Sequence, residues 1–203
     1  MPSFSPENDF FVFDLKAPLT WHRPGGYATI QIPGALRLAD VQSLASETTS
    51  VEKNEAVWIF SKGSLPDEAP IPGDLLVDAQ KVRWTISEVQ NLQRRGSWKC
   101  SVVNLMRHFD LRDLLDVYRP LWTLDENGAP FPEYRLSRPG IPGKILKSGT
   151  NSQIEIQFAE PELNLAYRDC LMTPSNQAFR VLEFHPAANW QEVSRAICVE
   201  VTL

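Results

Sequence analysis

The stretch GDLLVDAQKVRWTISEVQ, residues 73–90, has the pattern of the hairpin that ends a small β-barrel. Residues 73–74 begin a turn, residues 75–77 form a short apolar run, and residues 79–80 bend the chain. Apolar side chains then return at Trp84, Ile86 and Val89. A strand, a turn and a second strand of this kind indicate a packing scaffold rather than a catalytic site.

A second stretch, RDCLMTPSNQAFRVLEFH at residues 168–185, repeats this pattern 95 residues later. The matched pairs are Asp74 with Asp169, Leu76 with Leu171, Val77 with Met172, Trp84 with Phe179, Ile86 with Val181 and Val89 with Phe184. The alternative is a chance likeness between two amphipathic hairpins, which share their periodicity whatever their origin. We favour an internal duplication because the likeness continues outside the hairpin.

The flanking segments extend the duplication in both directions. Residues 96–105 correspond to 192–201, and the strand-and-connector segment 56–70 resembles 153–167. Upstream, residues 18–34 resemble 120–140 at an offset of about 107, with Tyr27 against Tyr134. The offset then falls downstream because the first copy is longer between residues 35 and 56.

The predicted fold is mainly β: two tandem small β-barrels with one or two short helices. The first barrel spans residues 1–108 and contains a helical insertion near 35–46, where apolar residues recur at helical spacing. The second spans residues 109–203. A closed barrel leaves few free strand edges. The residues predicted to mark the two barrel cores are Trp84, Ile86, Phe179 and Val181.

Shorter segments have their own predictions. Residues 10–15 indicate a buried or partly buried strand, residues 20–34 a hairpin, and residues 124–136 another hairpin with Asn127-Gly128 at its tip. Residues 106–120 fit either a helix or a strand. Residues 138–144, RPGIPGK, resemble a rigid linker, because their prolines lack the N–H donors of a phosphate-binding loop.

Composition excludes several classes of function. The formal net charge is −5, spread evenly along the chain, and the isoelectric point is about 5.3, so we expect no direct binding to nucleic acid, although a DNA path lined with acidic groups stays compatible. The three cysteines have neither disulfide nor zinc-ligand spacing, which predicts buried apolar residues in a reducing cytosol. We expect no signal peptide, because residues 1–16 have no basic region and only a four-residue apolar run, and no segment of the sequence is apolar for long enough to predict a membrane span.

No residues combine into a predicted catalytic, metal or cofactor site. The three histidines, His22, His108 and His185, lack metal-ligand spacing. The aspartates at residues 110, 113 and 116 predict a solvated helix face or a charge at a helix N-terminus rather than a cation site. Asp74 and Asp169 predict turns in which the carboxylate bonds its own backbone. We therefore expect no enzyme activity, no metal and no cofactor.

The proline-rich loop at residues 61–74, SKGSLPDEAPIPGD, is the predicted partner-docking element. Prolines stiffen the loop and leave little conformational entropy to lose on binding. An ordinary surface connector is the alternative. The candidate docking residues are Leu65, Pro66, Asp67, Glu68, Pro70, Ile71 and Pro72.

The layout of residues 25–105 resembles the bacteriophage head–tail joining proteins, also called head-closure or head–tail adaptor proteins. The resemblance rests on four segments: YATIQIPGA, then ADVQSLASETTSVEKNE, AVWIF with its Pro-containing loop, and the GD…WTI..V hairpin followed by SWKCSVVNL. Membership would imply a ring of subunits between the portal and the tail, around the DNA channel.

Our leading hypothesis is therefore a structural protein of the virion or prophage head–tail junction, made in the host bacterial cytoplasm. It would bind itself in a ring and bind portal, adaptor or tail subunits. DNA would at most pass through the channel, and no membrane would be involved. The alternative is a two-barrel module that binds a ligand or peptide with exposed aromatics such as Trp21, Trp98, Trp122 or Trp190. An enzyme is the least favoured reading.

Overall fold

The computed structural model describes residues 16–26, 29–38, 54–65, 68–147, 153–160 and 162–202. Described residues up to His108 form one compact unit, and those from Phe109 onward form a second. Each unit is a closed barrel of six strands. The fold is thus mainly β and consists of two tandem small barrels, which confirms the predicted fold class. No helix in the described part of the chain is long and apolar enough to cross a membrane.

The first barrel has strands joined in the order β1-β2-β3-β6-β5-β4, and β4 pairs with β1 to close it. A single helical turn, α1 (Leu105–His108), follows the last strand. The strands are β1 (Lys16–His22), β2 (Thr29–Leu38), β3 (Glu55–Ser61), β4 (Leu75–Val77), β5 (Arg83–Leu92) and β6 (Ser97–Val103).

The second barrel repeats this topology, with the order β7-β8-β9-β12-β11-β10 and closure between β10 and β7. Strands β7 to β12 therefore take the places of β1 to β6. Their bounds are β7 (Asp113–Leu124), β8 (Pro130–Lys147), β9 (Gln153–Phe158), β10 (Cys170–Met172), β11 (Ala178–His185) and β12 (Ser194–Val201).

The strands of the hairpin at residues 73–90 pair in the same register as those of its copy at residues 168–185. Leu76 lies opposite Trp84, and 95 residues later Leu171 lies opposite Phe179. The pairing of β5 with β6 is shifted by a bulge just after Ile86, and β11 has the same bulge after Val181. A shared bulge fixes the same register and the same local twist in both sheets.

The first strands of the two barrels are separated by a different number of residues from the number predicted from the sequence. Trp21 of β1 pairs with Leu76, and Val117 of β7 pairs with Leu171, so these strands are 96 residues apart rather than about 107. The larger offset belongs to β2 and β8, because the β7–β8 hairpin is the longer one. The predicted offset was too large because the tips of the two hairpins contain the same residue types, so the turns were matched rather than the first strands. Tyr27 lies outside the described residues.

The predicted helical insertion is also wrong where it can be checked. Residues 35–38 lie in β2, where Ala35 and Leu36 pair with Phe60 and Ile59 of β3. Strand β2 includes these residues because it pairs with β1 on one side and with β3 on the other. The spacing of apolar residues within the segment does not indicate that pairing. Residues 39–46 and the predicted strand at 10–15 lie outside the described residues. Residues 138–144 lie within β8 rather than in a linker.

Each barrel has its own apolar core. Trp84 and Ile86 are buried in the first, and Phe179 and Val181 occupy the equivalent buried positions in the second. Their alternation along β5 and β11 directs every second side chain inward. The cysteines at residues 100, 170 and 198 are also buried and unpaired, as predicted.

Gly143 marks a close approach in the second core. A Cβ there would lie 2.8 Å from Leu115 Cδ1 and 3.2 Å from the Gln157 carbonyl oxygen. We expect Gly143→Ala to lower the free energy of unfolding by about 1–3 kcal/mol, because the added methyl overpacks the core. Urea titration would measure this. Gly63→Ala is the control, since its Cβ would make only an ordinary 3.6 Å contact with Ser61 Oγ. Equal stability of both variants would contradict the overpacking.

Candidate functional site

Asp74 is the hub of a buried corner in the first barrel. Its carboxylate accepts the Ile71 N–H at 3.0 Å, which is the predicted turn bond. It also accepts the Trp21 indole N–H at 3.1 Å and two N–H groups of Arg23 at 2.9 and 3.0 Å. The hydrogen bonds that Arg23 donates to Asp74 raise the pKa of its guanidinium. The charged pair therefore ties the residue that follows β1 to the turn before β4.

Asp169 forms the same corner in the second barrel. It accepts the Ala166 N–H at 2.9 Å and two N–H groups of Arg119 at 3.3 and 3.1 Å. The bonds to Asp169 raise the pKa of Arg119. Val117 replaces Trp21 here, so the indole donor is missing and fewer buried groups depend on this carboxylate.

The ion pairs of Arg23 and Arg119 were not predicted from the sequence, although the spacing of the two arginines indicates that they occupy equivalent positions. Arg23 and Arg119 are 96 residues apart, one more than the spacing of the two aspartates. Each corner lies inside a barrel wall, where it satisfies buried polar groups. We assign the corners a structural role, because each carboxylate is fully occupied by hydrogen bonds from its own barrel.

The predicted docking loop is partly anchored and partly exposed. Leu65 and Pro70 are buried, whereas Ile71 (49% exposed) and Pro72 face solvent. Glu68 is exposed and lies 2.6 Å from Arg23. Pro66 and Asp67 lie outside the described residues. The loop thus presents a short apolar tip at Ile71-Pro72, held in place by the Ile71–Asp74 bond.

The second barrel carries an element that the first lacks: a two-stranded ribbon formed by residues 118–124 of β7 and 130–136 of β8. Its cross-strand pairs continue from Tyr118–Leu136 to Leu124–Pro130. Within the described chain, no third strand pairs with residues 119–124 or 130–135. An isolated two-stranded hairpin is marginally stable in water, so packing against other groups would stabilise the ribbon.

One face of the ribbon is entirely apolar. Partners across an antiparallel pair share a face, and alternate residues repeat it. Trp122 is 53% exposed and Leu124 is 70% exposed. The eight residues of this face are Tyr118, Pro120, Trp122, Leu124, Pro130, Pro132, Tyr134 and Leu136. The sequence contained this signal as apolar residues at every second position on both sides of Asn127-Gly128.

A cleft of about 290 Å³ lies where this face meets the loop before β10. The ribbon contributes Trp122 and Tyr134, and the barrel contributes Tyr167 and the guanidinium of Arg168. That guanidinium lies 5.4 Å from the Trp122 ring centre and 5.2 Å from that of Tyr167. The other lining residues are Pro120, Pro132 and Arg180. Aromatic rings beside cationic groups suit a ligand that is partly apolar and partly anionic.

Arg168 adopts a positive φ of 73°, where the equivalent residue of the first barrel is Gly73 with φ of 97°. A non-glycine residue in this conformation is strained by about 1 kcal/mol or more. We therefore expect Arg168→Gly to be more stable than Arg168→Ala by about 1 kcal/mol, since both remove the guanidinium but only glycine relieves the strain. Paired thermal and urea unfolding would measure the difference. Identical midpoints would argue against strain.

The other candidate residues from the sequence do not lie together in one site. Trp21 is buried in the first core and Trp98 packs against it, so neither lines an exposed site. His185 Nε2 lies 3.4 Å from Glu183 on the surface. Asp113 and Asp116 lie in β7 rather than on a helix, and they accept the N–H groups of Ile145 and Gly140. Among the described residues, no group of three potential metal ligands occurs.

Comparisons of the chain with models of known protein families, with curated proteins and with solved structures found no match.

Proposed function

We propose that the protein is a structural component of a bacteriophage head–tail junction, of the connector, head-closure or tail-completion type. It acts by assembling into a ring and by docking loops onto neighbouring virion proteins. The apolar face of the ribbon is the observation that carries this proposal, because eight adjoining apolar side chains on one face favour burial in an assembly.

The barrels restrict the way in which such an assembly can form. In the part of the chain that the structure describes, each barrel sheet closes on itself, which leaves few strand edges for pairing with another chain. The ribbon has edges, but Pro120, Pro130 and Pro132 remove backbone donors along them. Docking through side chains of the ribbon face and of the loop tip is the mode that remains.

The charge of the chain suits the same role. A formal net charge of −5 disfavours tight binding to phosphates, so DNA could pass a ring of this protein without adhering to it. Its partners would be further copies of itself and portal, adaptor or tail subunits. Its location would be the virion, after synthesis in the bacterial cytoplasm, and it would act without catalysis or a cofactor.

Light scattering coupled to size-exclusion chromatography of the full chain tests the proposal, together with electron microscopy of the eluted species. We expect a ring, and we expect Trp122→Asp to reduce its yield because a charge on the apolar face opposes burial. The matched control is Glu133→Ala on the opposite face of the ribbon. A protein that stays monomeric at all concentrations and never joins a phage particle would refute the proposal.

The cleft supports a second candidate, a module that binds a peptide or a small ligand. Its volume of about 290 Å³ and its ring of aromatic residues are the specific observations in favour. A thermal-shift screen of the monomer would test it. A ligand that stabilises the wild type but not Trp122→Ala, without any assembly, would favour this candidate over the ring.

A further inference from the structure

We propose that the aromatic cleft of the second barrel receives residues 68–72 of the proline-rich loop, with the apolar tip at Ile71-Pro72, from a second copy of this chain. The inference rests on the proposed role in ring assembly and names the two surfaces that would join. Because the loop and the cleft are different surfaces, the contact is heterologous, and repetition of such a contact produces a ring or a filament.

Charge complementarity supports this occupant. Among the described residues, no carboxylate lies within salt-bridge distance of Arg168 or Arg180, although both line the cleft. The loop carries two adjacent carboxylates, Asp67 and Glu68, just before its apolar tip. Glu68 contacts Arg23 at the surface, where exchange of one cation for another costs little.

The apolar chemistry of the two surfaces also matches. Ile71 is half exposed between Pro70 and Pro72, so the tip is stiff and loses little entropy on binding. The tip is a turn closed by the Asp74 N–H, which donates to the Ile71 carbonyl at 3.1 Å, and aromatic side chains suit packing against such an apolar, proline-containing turn. The cleft supplies Trp122, Tyr134 and Tyr167 as its aromatic lining.

Cross-linking between two variants, each with one cysteine introduced at the surface, tests the contact. The three native cysteines are buried, and burial raises the pKa of Cys100 and Cys198 to about 12, so introduced surface thiols will react first. We expect Ile71→Cys mixed with Tyr167→Cys to give a dimer with a short bis-maleimide. Gln80→Cys, on the exposed β4–β5 turn, replaces Ile71→Cys in the control mixture, which should give none.

A charge exchange provides the second measurement. Arg168→Glu with Arg180→Glu should lower the cross-linking yield about tenfold, because like charges would then meet. Asp67→Lys with Glu68→Lys on the partner should restore it, which a general loss of folding would not allow. A double-cysteine chain that cross-links only within itself would overturn the inference.

The two proposals can fail separately. Rings seen by light scattering without the loop-to-cleft cross-link would overturn this contact and leave the ring intact. A cross-linked pair in a protein that never enters a phage particle would support the contact and refute the head–tail role.

Discussion

Replacement of Trp84 by alanine is expected to lower the free energy of unfolding by about 3–5 kcal/mol, and Phe179→Ala should do the same in the second barrel. Both side chains are buried at equivalent positions, 2% and 1% exposed. The Trp84 indole N–H donates to Asp78 at 3.0 Å, and its ring lies 4.9 Å from the Arg37 guanidinium. Truncation therefore opens a cavity and removes these contacts together.

Urea titration would measure the loss, and hydrogen exchange would locate it. Trp122→Ala is the matched control, because it removes the same side chain from a half-exposed position and should cost about 1 kcal/mol or less. In the Trp84 variant, exchange should accelerate in β4 to β6. Equal costs for the two tryptophans would mean that Trp84 does not organise the core.

Loss of the Asp74 carboxylate is the second large effect that we expect. Asp74→Ala should cost about 3–5 kcal/mol, because it removes the buried partner of Arg23, which keeps only its surface contact with Glu68, and leaves buried donors without an acceptor. Those donors are the Trp21 indole N–H and the Ile71 N–H.

Asp169→Ala should cost less, about 1–3 kcal/mol, since Val117 offers no donor and half of the Arg119 side chain is exposed.

Chemical denaturation of both variants would test this order. Arg112→Ala is the control: it breaks the exposed pair with Asp110 and should leave the midpoint unchanged. Asp74→Asn separates charge from shape, because it retains an oxygen that can accept the Ile71 N–H. If Asp169→Ala proved more damaging than Asp74→Ala, the assigned role of the Trp21 bond would be wrong.

The hairpin at residues 73–90 shows how local patterns predicted the fold. Alternation of apolar residues defines the buried face of a strand, and the turn residues define where it reverses. Because the same pattern recurs 95 residues later, two barrels could be predicted without a structure. The alternation places Trp84 and Phe179 on the apolar face of their strands, so their inward orientation could be predicted from the sequence.

The missed features depend on partners that are distant in the chain. Arg23 reaches Asp74 across 51 residues, and Arg119 reaches Asp169 across 50. No local propensity records which arginine meets which aspartate. Likewise, the cleft combines a ribbon near residue 122 with a loop near residue 168, and only the pairing of β7 with β10 brings them together.

The sequence by itself determined the strand pattern, the duplication and the buried identity of the core residues, because these follow from periodicity along the chain. Only the tertiary structure decided the closure of each barrel, the membership of residues 35–38 in β2 and the exposure of the ribbon face. The physical reason is the same in each case. A strand is fixed by its neighbours on both sides, and those neighbours lie far away in sequence.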